Sequence, residues 1–371
     1  MLKNKNYIII NFVEKTISNF KNECLSERYP SAFKVEITSR CNLKCITCLH
    51  GYFERPDADM SFEDFKSIID RSPNLKLVDF TGVGESLLNK DFLKMLRYVK
   101  SKKIRATFYD NFCFIDKKTA EELIEIGVDE IVASIDGATK ETYEKIRIGS
   151  NFEIVINNVK NLFELRKEKN VNLPKIFFNY VISKYNFGEI VKFVELVSSL
   201  TKGEKTEIIF WGMFSPEGVL EKFKTPYSSE IIKNTVQMAI KRGKELGIFI
   251  IHDFSFPQLP IKECVNYSMP FIFVTGEVIP CCQAKKINQD LKKIFLNNIS
   301  SQNIGEDMIK KFREILDSKK YKNFKKENSL GNIFDQDFKE IWHSKKYRNI
   351  REMLRQGKVP SFCKNCPYYK I

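Results

Sequence analysis

Between residues 33 and 212 the chain repeats one alternation, which constrains its fold more than any other feature. Short β-branched and aromatic runs at 33–38, 75–81, 104–109, 130–135, 175–182 and 206–211 have the composition of strands. Longer stretches with apolar residues every three or four positions lie between them, as amphipathic helices require. Ser61, followed three residues on by Asp64, is close to a capping box and opens one such helix. Six strands alternating with helices predict an α/β fold: a parallel sheet covered by helices, either open or curled into a partial (β/α)6 TIM-like barrel. In parallel α/β architectures, sites form in the loops at the carboxyl ends of the strands.

The loop after the first of these strands reads Cys41-Asn42-Leu43-Lys44-Cys45-Ile46-Thr47-Cys48. Three thiolates within eight residues can converge on one soft metal centre. A structural zinc wants four ligands. A 4Fe–4S cluster held by three cysteines keeps one iron open to a ligand that is not protein. His50, just beyond, reads as a hydrogen-bonded neighbour and not as a ligand. The chain has ten cysteines, so compartment matters. No apolar run approaches the roughly 18 residues that span a bilayer. The run from Tyr7 to Val13 is broken by Asn11 and too short for a signal peptide. The expected location is therefore a reducing cytoplasm, and the cysteines are not read as a disulfide framework.

Beyond 212 the pattern changes. Residues 213–260 hold four prolines and read as a connector with one helix at 228–246. Residues 261–371 are cysteine-rich at both ends, with a Lys-rich insertion at about 284–328 that carries eleven Lys and one Arg against six acids. Residues 1–32 read as an amphipathic helical segment. The net charge of +14 fits a Lys-rich proteome or an acidic partner.

Further motifs follow the predicted strands. After the second comes Thr81-Gly82-Val83-Gly84-Glu85-Ser86, and after the third Asp110-Asn111-Phe112. After the fourth comes Ser134-Ile135-Asp136-Gly137, then Tyr143-Glu144-Lys145-Ile146-Arg147. Read alone, Asp136 is a strand-end turn residue and Arg147 a surface charge. With the three-cysteine loop, the set resembles the radical S-adenosylmethionine (SAM) enzymes. The resemblance implies a SAM-binding 4Fe–4S cluster on Cys41, Cys45 and Cys48. It implies that Gly82, Gly84 and Glu85 stand where the family has Gly-Gly-Glu-Pro and hold the SAM amino group. Ser86 replaces the Pro. Asn111 matches a Thr-Asn-Gly motif in which Phe112 replaces the Gly. Ser134 and Asp136 belong to the SAM site, and Arg147 faces the SAM carboxylate through a bidentate guanidinium pair.

The tail extends the resemblance. Cys264, Gly276 with Cys281 five positions on, Leu330-Gly331-Asn332-Ile333, Glu340-Ile341-Trp342-His343 and Cys363-Lys364-Asn365-Cys366 are similar to the SPASM and twitch extensions. That implies a small C-terminal domain with one auxiliary 4Fe–4S cluster on Cys264, Cys281, Cys363 and Cys366. The spacing from Gly276 selects Cys281 over Cys282. The same four thiolates would also suit zinc.

The implied activity is reductive cleavage of SAM to a 5′-deoxyadenosyl radical that abstracts hydrogen from an unactivated substrate carbon, leading to oxidation or bond formation. Oxygen should destroy it. The substrate stays open among a sugar or polyol, a lipid and a peptide, and an anionic one would suit the charge. Thirty-one Phe and the Tyr7–Val13 run allow a lipid and a peripheral membrane contact. Reduced flavodoxin or ferredoxin is the implied electron donor, and no nucleic acid is expected. Asp253, in Ile251-His252-Asp253-Phe254, is the candidate acid or base. The competing readings are a zinc-bearing basic nucleic-acid-binding protein and a non-catalytic iron–sulfur electron carrier.

Overall fold

Phenylalanine organises the core. In the computed structural model Phe65, Phe80, Phe92 and Phe108 form a chain of ring contacts with centroids 5.4, 5.3 and 5.1 Å apart. They alternate between helix and strand, so the chain of rings zips helices α1 (Phe62–Asp70) and α2 (Phe92–Ser101) onto strands β2 (Leu77–Phe80) and β3 (Arg105–Asp110). The structure describes residues 29–48, 50, 57–213, 223–225, 229–252, 259–260, 264, 268–281, 329–363 and 369–370. The amphipathic segment before residue 29, Asp253, Cys366 and the Lys-rich insertion lie outside the described residues.

All six expected strands form within three residues of their predicted ends. To β2 and β3 are added β1 (Ala32–Val35), β4 (Glu130–Ser134), β5 (Lys175–Ile182) and β6 (Glu207–Gly212). Neighbours pair in parallel in chain order. Helices α3 (Lys117–Ile126), α4 (Lys140–Ile146), α5 (Phe152–Glu168) and α6 (Ile190–Thr201) fill the crossovers. Their starts are chemically marked. Ser61, Asp116, Thr139 and Asn151 each accept a backbone N–H of the first turn of α1, α3, α4 and α5. Ser61 also donates to Asp64, so the pair read from the sequence is reciprocal.

Two features depart from the sequence reading. First, 213–260 is not only a connector. Helix α7 (Ser229–Glu245) leads into a seventh parallel strand, β7 (Phe249–His252), paired with β6. Four residues among scattered prolines are too few to show strand periodicity. Second, the tail joins the barrel sheet. Strand β9 (Phe271–Ile272) lies parallel to β1, and β10 (Glu277–Ile279) and β11 (Gly331–Asn332) extend from it antiparallel. The sheet order is β11-β10-β9-β1-β2-β3-β4-β5-β6-β7. A separate pair joins β8 (Leu259–Pro260) to β12 (Tyr369–Lys370). Helices α8 (Phe338–His343) and α9 (Lys345–Arg355) cover the β1 side, where the Phe33 and Phe338 rings meet at 4.8 Å.

The strands are two-faced. On β3 to β6, Phe108, Ala133, Phe178 and Phe210 turn to the helices and are fully buried. Their neighbours Tyr109, Ser134, Asn179 and Trp211 therefore share the other, inner face near the carboxyl ends. The phenylalanines that suggested a lipid are largely core: Phe33, Phe65, Phe80, Phe92, Phe108, Phe112, Phe178 and Phe193 are all buried. Among the described residues, that weakens the phenylalanine ground for a membrane contact and leaves the basic excess and the N-terminal run. No described helix is long and apolar enough to cross a membrane.

Candidate active site at the carboxyl ends of the strands

The three-cysteine loop begins where β1 stops. Its base is clamped by Asp59, which accepts from Thr38 Oγ1 at 2.6 Å and from Arg40 Nε at 3.1 Å. Its far side is stitched to the end of α4, as Ile146 O and Ile148 O accept from Ile46 N and Lys44 N, both at 2.9 Å. Cys48 N donates to Cys45 O and closes a tight turn. His50 N donates to Cys48 Sγ and His50 Nε2 bonds Ser39 O at 3.0 Å, so this histidine supports the loop.

The three thiols share one electrostatic environment. Burial pushes Cys41 up to about 11 and Cys45 up to about 12, and neighbouring thiols add to both. The Arg147 guanidinium pulls both back. Half-buried thiols beside a fixed cation are poised to lose protons to a metal. Among the described residues, no three His, Cys, Asp or Glu side chains converge at single-ion spacing. A tetranuclear cluster does not require that, because it takes each cysteine at a different iron.

The loop after β2 lies directly on the cysteine loop. A Cβ on Gly84 would sit 2.2 Å from Thr38 O and 2.7 Å from Arg40 O, and one on Gly82 would sit 2.5 Å from Glu36 Cγ. Glu85 N donates to Arg40 O at 2.7 Å, and Val83 N to the buried Glu36. The glycines are thus required by loop-to-loop contact in the protein itself, as well as by any ligand above them.

Two carboxyl groups are buried behind this contact. Glu85 Oε2 accepts from Asn111 N at 3.1 Å, and Asp110 Oδ1 from Phe112 N at 2.6 Å. Glu85 Oε1 and Asp110 Oδ2 receive no hydrogen bond from any other residue, and the two carboxyl groups bond each other. Burial pushes both groups up, Glu85 well above the usual carboxylate range, and Asp110 beside it raises Glu85 further. A buried acid pair with two orphaned oxygens fits an ammonium group, which would satisfy both.

Asn111 ties the third loop to the first. Its Nδ2 donates to Asn42 Oδ1 at 2.8 Å and its Oδ1 accepts from Cys113 N. Phe112, at the glycine position of the motif, takes φ +61° and keeps the left-handed turn that a glycine would supply. Its ring is buried and its carbonyl is held by Asn158.

Ser134 ends β4, half-buried, opposite Asn179. Asp136 and Arg147 lie deeper. Their ion pair is 2.8 Å long, with side chains 1% and 9% exposed. Arg147 is therefore not the surface charge that sequence alone suggested. Asp136 also accepts from Val181 N at 2.8 Å. Arg147 Nε has no acceptor, which leaves one guanidinium direction available to an anion. The pocket thus offers orphaned acceptors on one side and an orphaned cationic donor on the other. Those are the complements of the two charged ends of an α-amino acid, and SAM has such an end.

The tail cysteines are only partly described. Cys264 is buried in the core, Cys281 follows β10 and Cys363 sits in a short turn against the core. Cys366 and Asp253 are beyond the described residues, and His252 beside Asp253 is buried, which pushes its imidazole down. The described cysteines form no disulfide. Asp110, Asn42 and Glu36 were not singled out from the sequence. Asp110 was visible only as the residue before Asn111, and its pairing with Glu85 joins positions 25 apart.

Comparison with known proteins matches two stretches of the chain. Residues 35–197 match the radical SAM superfamily, and residues 326–367 match the iron–sulfur cluster-binding SPASM domain. The chain therefore carries a radical SAM domain at 35–197 and a C-terminal SPASM domain at 326–367, which imply SAM, a SAM-binding 4Fe–4S cluster and auxiliary iron–sulfur as cofactors. A tungsten-containing aldehyde ferredoxin oxidoreductase cofactor-modifying protein of Pyrococcus furiosus is 28% identical over 170 residues, 45% of this chain and 48% of that one. The mycofactocin maturase MftC of Mycobacterium tuberculosis is 25% identical over 170 residues, 46% of this chain and 42% of that one. The chain spans about half the length of these curated relatives. Among solved structures, Streptococcus suis SuiB bound to SAM superposes with a TM-score of 0.64 at 16% identity, over 100% of this chain and 82% of that one. The SAM-bound anSMEcpe with a peptide superposes at 0.56 and 19% identity, over 90% and 85%. These likenesses establish the fold.

Proposed function

We propose that this chain is a radical SAM enzyme that cleaves SAM reductively and removes hydrogen from an unactivated carbon of its substrate. The observation that carries the reading is the three-cysteine loop at the end of β1, walled by Gly84 on one side and Arg147 on the other. When bound, the cluster and SAM would supply a 5′-deoxyadenosyl radical as the hydrogen-abstracting species.

The chain's own residues bind, orient and neutralise. Cys41, Cys45 and Cys48 hold the cluster, and Arg147 offsets their negative charge from a buried position. Glu85 and Asp110 receive the SAM ammonium on their two orphaned oxygens. Gly82 and Gly84 keep the loop close enough for that contact. Asn111 fixes the loop that carries Asp110. Ser134 lines the same opening, and Asp136 orients Arg147 toward the SAM carboxylate. Cys264, Cys281, Cys363 and Cys366 hold one auxiliary cluster in a domain that begins near residue 261. The inner face with Tyr109, Asn179 and Trp211 receives the substrate, and its hydrogen-bonding groups and rings suit a polar molecule better than a lipid tail.

The test is iron and sulfide per chain after anaerobic reconstitution, with a Cys41/Cys45/Cys48 triple Ala variant beside it. About eight irons falling to about four supports both clusters. Release of 5′-deoxyadenosine from SAM with dithionite then tests cleavage. Absence of iron from the parent sinks the reading.

A further inference from the structure

We infer that the outer side of the cysteine loop, with Phe114, Ile148 and Ile154 around Lys44, is the docking surface for an acidic one-electron donor protein. The inference rests on the proposed function, which requires an electron from outside, and adds where it enters.

Seven large apolar side chains are strongly exposed among the described residues. Val171 and Phe334 stand on separate segments, and Ile231 and Met238 share helix α7. Phe114, Ile148 and Ile154, exposed to 41, 48 and 52%, come from three neighbouring segments, of which the one carrying Ile148 is bonded directly to the cysteine loop. Ile148 O accepts from Lys44 N at 2.9 Å. Cys113, the neighbour of Phe114, meets Ser150 at 3.3 Å, and Ser150 also bonds Tyr143 OH. Ile154 is one helical turn before Asn158, which donates to Phe112 O at 2.9 Å. Asn42 joins the set through Asn111. Converging exposed apolar groups mark interaction sites, whereas single ones need no explanation.

Position and charge select the occupant. Asn42 and Lys44 lie between Cys41 and Cys45, so a partner here is separated from the three-cysteine centre by one loop's thickness. Lys44, Lys117 and Lys118 are exposed around the patch. Of the nearby acids, Glu153 pairs with Lys140 at 3.1 Å, and Asp116, which caps α3 through Thr119 N, offsets one of these three lysines. The remaining positive field steers an acidic partner. A small apolar patch with a basic rim is the size expected of a transient electron-transfer contact, which buries under about 1,200 Å². In the productive complex the donor's reduced flavin or iron–sulfur group gives up one electron and the three-cysteine centre takes it up.

The test uses the reconstituted full chain with flavodoxin as probe and dithionite as a small-molecule comparator. Phe114→Asp and Ile154→Asp place negative charge on the patch, and Met238→Asp does the same on α7. Expected are about tenfold weaker flavodoxin binding by calorimetry and about tenfold slower cluster bleaching by reduced flavodoxin in the two patch variants, with Met238→Asp unchanged. Bleaching by dithionite should be the same in all. Lys44→Gln should flatten the salt dependence of the flavodoxin rate. Parental binding and flavodoxin rates in both patch variants would overturn the inference. If dithionite reduces no centre even in the parent, the proposed function fails instead, and the binding measurement still decides the surface.

Discussion

Replacing Arg147 by Met probes the centre of the site, because that guanidinium serves two groups at once. It pairs with Asp136 at 2.8 Å, with both side chains nearly inaccessible, and it draws down the Cys41 and Cys45 thiols. Removing one partner of a buried pair costs about 3–5 kcal/mol, because the other charge stays behind uncompensated. An exposed pair would cost less than about 1 kcal/mol. Asp136 keeps only the Val181 N–H, so the variant belongs in the upper class. Asp136→Asn in the same background removes the stranded charge and should recover about 2 kcal/mol, a coupling typical of contacting residues. The assay is urea unfolding of the cluster-free protein under reducing conditions, run as a double-mutant cycle. The thiols give a second readout: without the guanidinium they rise further, and their alkylation at pH 8 slows. Less than about 1 kcal/mol for Arg147→Met, or strict additivity in the cycle, would refute the account of a buried, charge-coupled pair.

Gly84→Ala should destabilise by about 3 kcal/mol, since its methyl group meets two backbone carbonyls that cannot swing away. Gly127→Ala, at φ +71° with nothing within 4 Å, should cost only about 1 kcal/mol, so equal losses in paired denaturation curves would contradict the loop-contact argument. The Glu85–Asp110 pair has raised folded-state values, so its stabilising contribution is full below the ordinary carboxylate range and is lost as pH rises through the raised values. Asp110→Asn should therefore flatten the decline of cluster-free stability as pH rises above the ordinary carboxylate range; an unchanged slope counts against the pair. Phe112→Gly relieves a left-handed residue worth about 1–2 kcal/mol but empties a buried ring site worth about 3–5, so denaturation should show a net loss.

The barrel was legible because its signals are local. Strand runs, the Ser61–Asp64 cap and the three-cysteine loop each declare themselves within eight residues. What escaped depends on contacts between distant segments. Strand β7 is too short for periodicity and needs β6 as a template. The Glu85–Asp110 pair exists only because two loops meet behind the cysteines. Sequence alone made Arg147 a surface charge, since nothing near position 147 announces that Asp136 will receive it in the interior. Phe112 shows the converse: the residue departs from the motif while the backbone keeps its shape, because packing by α5 holds the turn.

The order of the sheet also has a consequence for how the molecule is made. Strand β1 is covered on one side by β2, some forty residues later, but on the other by β9, which leaves the ribosome about 235 residues after it. Through most of synthesis the strand that feeds the cysteine loop is an open edge with unpaired backbone groups. A chain stopped after β7 would keep its parallel ladder yet expose that edge for good, and should associate edge to edge. Covering it falls to the two-residue strand β9, nine positions before Cys281, so the segment that closes the edge of the sheet also brings in a tail thiol.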